Sequence, residues 1–433
     1  MSITSPKEPE QICSEPRLPS AGDTEAVLAL VRRAMSLLKQ GNPASALMAF
    51  ETAAETNQTV EALHGAAVCC RLLGRLPEAI DYGQRAAAGL VDVLGVQPWY
   101  REYLENGSPP PEFSPSFAAT VYGHLALCLE QAGRKADAGL CAEAACHLDR
   151  SVPAARAVAK LAAVEPHAPW PAAITRPPAC RAPSLSVVIL THPTDKLAKN
   201  ARLGPPTTGL VETTWKSWLE ALGPGLNQAR KIICLDGFLP GNSMIAAYRH
   251  NLELFCRHHG FELQCRPPTG LLGMVAAVAK ELSSDWLLLL EHDWRYIGPP
   301  LNLQQLLSAI HSHRQIRSLR FNKRKNLIRR FDFLLEVETA IPELPLLRTP
   351  AHSNNPSLIR TDIFTRKWLP ACLGDRFFSR LAGAGSSLGL EEVLFKLHRD
   401  QVRRHAMATA HGKWGTYLLG RPGDSPLVEH LGY

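Results

Sequence analysis

No apolar run in this chain approaches the roughly 18 residues that a membrane-spanning helix needs. The amino terminus lacks the basic start and apolar core of a signal peptide, so a cytoplasmic location is expected. No Cys-x-x-Cys pair occurs among the 11 cysteines, and their number is odd. This excludes an obvious disulfide frame or zinc site and leaves small buried hydrophobes, such as Cys69 and Cys70 or Cys141 and Cys146. Charged residues make up 20% of the chain against 45% hydrophobic, which excludes a disordered polyampholyte and fits a folded protein. With 433 residues, two or more cores are expected.

The net charge of +7 is unevenly placed. The first 180 residues hold 15 Lys+Arg against 19 Asp+Glu, and the rest 32 against 21. A basic second half suits an anionic ligand. Its densest cluster is Arg320, Lys323, Arg324, Lys325, Arg329 and Arg330, with Phe321 and Phe331. A solvated basic face, an anionic acceptor or an acidic lipid headgroup would each account for it. No nucleic-acid-binding motif stands nearby, and nucleic acid is not an expected partner.

Residues 1–24 are rich in Pro, Ser and Glu and predict a flexible tail. Residues 25–165 are alanine-rich with helical periodicity, and a pattern recurs in them. Ala34, Gly41, Ala46, Phe50 and Ala53 match Ala67, Gly74, Ala79, Gly83 and Ala86, and again Ala126, Gly133, Ala138, Ala142 and Ala145. Small residues let paired helices approach, and the glycine falls in the turn, where a positive φ is easily taken. The segment resembles three tetratricopeptide repeats with an insertion before the third. Such stacks present a concave surface, where a peptide or protein partner is expected. Six prolines in 166–183 predict a linker with few contacts shared across it.

From 184 to 433 the chain alternates strands and helices. Ser186–Thr191, Lys231–Asp236, Phe261–Cys265 and 286–290 read as strands; 212–222, 243–259 and 271–282 read as helices. This order predicts a doubly wound, mostly parallel sheet. The strand at 286–290 runs into Glu291-His292-Asp293. In open sheets ligands bind beyond the carboxyl ends of the strands. Two acids one residue apart on an extended segment point the same way, and paired hard oxygens suit Mn²⁺ or Mg²⁺. An acidic surface turn is the alternative.

In that order the signals resemble a family-2-like glycosyltransferase of the GT-A fold. The resemblance implies an α/β, Rossmann-like GT-A domain preceded by an all-α repeat domain. It implies that Thr191 and His192, Asp236 and Glu291 meet a nucleotide-diphosphate sugar. It further implies metal ligation by Asp293 with Glu291 and a late His411. Glu391 or Glu392, opening a late helix, would deprotonate the acceptor; the residues do not choose between them. Asn354, Asn355 and Trp414 would line the site of a glycan or protein acceptor. The expected activity is inverting, non-processive hexosyl transfer. A nucleotidyltransferase, another nucleotide-binding α/β enzyme, or a catalytically degenerate repeat scaffold are the alternatives. The first of these would want a glycine-rich phosphate loop after the first strand, where Thr191-His192-Pro193 stands instead.

Overall fold

A computed structural model describes residues 21–91, 93–94, 113–162, 182–191, 207–235, 243–266, 270–374 and 390–431. The first part is a run of antiparallel helix pairs: α1 (Ala21–Lys39) with α2 (Pro43–Thr56), α3 (Val60–Leu72) with α4 (Leu76–Ala87), and α5 (Pro115–Gln131) with α6 (Lys135–Asp149). A short α7 (Pro153–Val158) closes the run. α1 begins inside the stretch expected to be tail. Asn42, Thr59 and Ser114 cap their helices through side-chain oxygens, with Ala62 N 3.3 Å from the Thr59 hydroxyl, for example. Each satisfies a backbone N–H that the first turn leaves open. Gly41, Gly74 and Gly133 sit in the three turns with φ of 76°, 75° and 77°. The recurring alanines are fully or nearly fully buried, so the pattern marks where helices touch.

The second part follows the order β1 (Leu185–Thr191), α8 (Gly209–Leu222), β2 (Arg230–Leu235), α9 (Ser243–His259), β3 (Glu262–Cys265), α10 (Gly270–Ala279) and β4 (Trp286–Glu291). The nearly continuous apolar runs of β1, β2 and β4 are buried, as strands covered on both faces must be. Next come β5 (Trp294–Tyr296), α11 (Leu303–Ser312), β6 (Ser318–Arg320), β7 (Glu336–Val337), β8 (Leu346–Arg348) and β9 (Ser357–Arg360). A helical stretch over 361–373 leads on to α12 (Leu390–Trp414), β10 (Thr416–Leu419) and β11 (Val428–His430). Nine strands form one mixed sheet in the order β3-β2-β1-β4-β9-β6-β10-β8-β7, with β8 and β9 running against the rest. β5 and β11 form a separate antiparallel pair. The chain runs outward from β1 to β2 and β3, then crosses back from β3 to β4 on the other side of β1, so a topological switch point lies between β1 and β4.

The two parts share a core, which corrects the expectation of few contacts between them. One buried apolar cluster runs from Ala34 and Phe50 in the repeats to Val393 and Phe395 on α12. Polar groups cross the same boundary. Gln84 donates to Glu336 Oε1 at 2.6 Å and accepts from Met407 N at 3.0 Å, both buried. The Tyr122 hydroxyl donates to Phe333 O at 2.9 Å, and Asp137 accepts from Val337 N at 2.7 Å. Met407 follows Ala406, whose φ of 57° and ψ of 178° break α12. That conformation is costly for a residue with a Cβ and persists only where its surroundings hold it.

Candidate functional site

The switch point is built from the ends of β1 and β4. Leu190 and Glu291 lie in register there, and His292 N donates to Leu190 O at 3.0 Å. The chain then turns at His292 and Asp293 before entering β5, so Glu291 ends the strand and Asp293 lies in the turn, and the two do not share one extended segment. β5 pairs with β11, with Trp294 opposite His430. This pairing brings His430 Nε2 to 3.1 Å from Asp293 Oδ2. The other oxygen, Asp293 Oδ1, is buried and has no hydrogen-bond partner among the described residues. Burial pushes the Asp293 carboxyl up, but the His430 hydrogen bond and the charges of His292 and His430 outweigh it and hold it below its ordinary value.

At the end of β4 lies a small cleft. Glu291, His352, Asn354, Asn355 and Leu390 line it, so the polar loop before β9 and the start of α12 meet the acidic strand end. The loop leads into β9, where Ser357 pairs with Leu289. Asn355 Nδ2 reaches Asn322 Oδ1 at 3.4 Å, which ties the loop after β6 to the same cleft. Glu391, next to Leu390, is half-buried, and the Lys323 charge interacts with both Glu391 and Glu291.

Three of the residues singled out from sequence stand elsewhere or are already engaged. His411 Nε2 donates to Thr416 O at 2.9 Å, at the start of β10. Since β10 runs parallel to β4 with β9 and β6 between, His411 is on the opposite sheet edge from Glu291, and is not brought to Asp293. Trp414 is buried against His398, with ring centroids 4.3 Å apart, so it packs the core rather than lining the cleft. Thr191 is fully buried, and its hydroxyl is 2.6 Å from the Tyr248 hydroxyl. His192, Asp236 and the Glu392 side chain lie outside the described residues. His430 was missed, because one histidine among 16 on a three-residue strand carries no local signal.

Among the described residues no three His, Cys, Asp or Glu side chains are grouped to hold a metal ion. Asp293 and His430 offer less than a closed cage: a carboxylate with an unpartnered oxygen and an imidazole nitrogen beside it. Such a donor set fits a hard divalent cation that completes its shell with substrate phosphates and water.

Residues 31–90 match the tetratricopeptide repeat family model. No curated protein sequence matches the chain. Two similar solved structures are glycosyltransferases. The mannosyltransferase PcManGT from Pyrobaculum calidifontis, in complex with GDP-Man and Mn2+, aligns over 59% of this chain and 58% of its own at 14% identity and a TM-score of 0.32. Mouse xyloside xylosyltransferase 1, in its apo form, aligns over 55% of this chain and 85% of its own at 10% identity and a TM-score of 0.31. The chain thus spans a little over half of the mannosyltransferase. Among the described residues no helix is long and apolar enough to cross a membrane. The chain joins a helical region that carries the tetratricopeptide pattern over residues 31–90 to a mixed α/β domain.

Proposed function

We propose that the protein is a metal-dependent glycosyltransferase that moves a sugar from a nucleotide-diphosphate sugar to an acceptor hydroxyl, inverting and non-processive. The observation that carries this reading is Asp293 at the switch point, with His430 on one oxygen and, among the described residues, no partner on the other. A carboxylate kept ionised at the carboxyl ends of parallel strands is suited to a cation and the phosphates it holds. Asp293 and His430 would hold Mn²⁺ or Mg²⁺, which when bound would neutralise the departing diphosphate. Glu291, two residues before Asp293, lines the cleft at the end of β4 and would orient the donor. Asn354 and Asn355 would hydrogen-bond acceptor hydroxyls across the same cleft. Glu391, or Glu392 beside it, would take the proton of the attacking hydroxyl. An acceptor entering between the start of α12 and the donor would attack opposite the leaving group, hence inversion. The peptide or protein partner of the repeats would bind on their concave face, away from this chemistry.

A screen of nucleotide sugars for hydrolysis in Mn²⁺ tests the reading. Release of the nucleoside diphosphate from one donor, stopped by chelation, supports it. Neither binding nor hydrolysis of any donor would contradict it.

A further inference from the structure

The loop after β6 carries a run of cations, and the fold neutralises only some of them. Arg320 is buried and pairs with Asp332, and Arg329 pairs with Glu143 of α6 at 2.6 Å. Among the described residues, no carboxylate lies within ion-pair distance of Lys323, Arg324 or Arg330. Lys323 and Arg330 are exposed and Arg324 is half-buried, and the three charges act on one another: partial desolvation first, then the neighbouring cations, hold Lys323 and Arg324 below their ordinary values. Like charges held together raise the energy of the free protein and favour an anion among them.

Their place in the fold is defined. β6 runs parallel to β4, so its following loop leaves the sheet at the same edge as Glu291. Lys323 Nζ stands 5.1 Å from the Trp294 ring centroid, and its neighbour Asn322 bonds the cleft residue Asn355. Phe331 packs on Phe395, one turn along α12 from Glu391, with ring centroids 5.1 Å apart. Arg330 takes a φ of 50° and its N–H donates to Leu94 O at 3.2 Å, which fixes the loop against the repeats. Both Lys323 and Arg324 interact with Glu391, whereas only Lys323 also interacts with Glu291. The cluster therefore adjoins Glu391 as well as the end of β4.

We propose that Lys323, Arg324 and Arg330 form an oxyanion subsite there, and that the acceptor carries a phosphate, sulfate or carboxylate group bound in it. A guanidinium group can set two parallel N–H donors on two oxygens of any of these groups, and an ammonium adds a point charge. The acceptor assignment rests on Glu391 facing the acceptor, as in the function proposed above; the oxyanion subsite does not.

Calorimetry on the full chain tests it, with sulfate as the anion probe and UDP and GDP in Mg²⁺ as the diphosphate probes. Wild type should bind sulfate with UDP or GDP already present. K323M/R324M should weaken sulfate binding by about tenfold or more, the weight of a lost charge-assisted contact. It should leave UDP and GDP affinity within about twofold and keep a cooperative melt, since neither residue makes an ion pair among the described residues and the exposed Lys323 contact with Trp294 contributes little. The conservative K323R/R324K should retain sulfate binding. Wild type that binds no sulfate, or K323M/R324M with unchanged sulfate affinity, overturns the subsite. Loss of UDP or GDP affinity in K323M/R324M as large as in D293N would assign the cluster to the donor diphosphate and overturn the acceptor inference. If neither nucleotide binds wild type, the transferase reading fails, and sulfate titration into the free protein still decides the subsite.

Discussion

Asp293 and His430 meet at 3.1 Å although 136 residues separate them, because β5 and β11 pair and set Trp294 opposite His430. The contact leaves Asp293 Oδ1 buried and without a hydrogen bond among the described residues. A buried unsatisfied polar atom costs about 1–3 kcal/mol, so its retention calls for a partner such as a cation.

His430 should therefore matter where His411 does not. H430A should weaken Mn²⁺-dependent donor binding by about tenfold or more, the range for lost metal-site partners. H411A should leave that affinity unchanged and lower the melting temperature, because it removes a buried bond to Thr416 O. Equal loss of donor affinity in both variants would show a late metal ligand wrongly assigned.

E391Q should lower turnover by about 10²–10⁴, the usual contribution of a general base. Donor affinity should hold, since the base meets the acceptor hydroxyl and not the diphosphate. Full turnover in E391Q with loss in E392Q would move the role to Glu392.

Acid should destabilise the fold through buried imidazoles. Burial holds His352 down to about 3 and His411 to about 4, against an ordinary 6.5. Their folded values are depressed, so the unfolded chain takes up protons first as pH falls. Their stabilisation is full above pH 6.5 and is lost progressively toward the folded values. At pH 5 each accounts for up to about 2 kcal/mol of lost stability. Melting temperatures from pH 7 to 5 should fall in wild type and fall less in H411Q; a flat wild-type profile would contradict the buried neutral state.

The interface between repeats and sheet predicts mutual dependence. Q84L removes two buried hydrogen bonds and leaves Glu336 and Met407 N without that partner, at a cost of about 1–3 kcal/mol. Residues 184–433 alone should expose the apolar face of α12 and lose a cooperative melt. A soluble fragment with a sharp transition would show that the shared core contributes little.

Much of the framework was legible from residue patterns. The strands near 186, 231 and 286 announce themselves by runs of β-branched and leucine residues, and the helix over 243–259 is found within its observed bounds. The turn glycines of the repeats take the positive φ that their spacing suggested. Other features had no local signal. β7 and β11 have two and three residues, too few for a period of two to show. Glu291 and Asp293 look co-facial on an extended chain, but the pairing of β5 with a strand near the carboxyl end imposes a turn at Asp293. Gln84 and Asp137 are polar residues of alanine-rich helices, and nothing local in the sequence marks them as buried against a second domain. Lastly, the prolines of 166–183 predict a linker and say nothing about which faces of the two parts meet.

The central claim is that Asp293 binds the donor's diphosphate through a divalent cation. Titration of UDP- and GDP-sugars into wild type and D293N, with Mn²⁺ and with chelator, tests it most directly. The account predicts that one donor binds wild type only in Mn²⁺, and that D293N loses this binding while keeping its cooperative melt, because an amide is a poor ligand for a hard cation. Donor affinity that is equal with and without Mn²⁺, or unchanged in D293N, would contradict it.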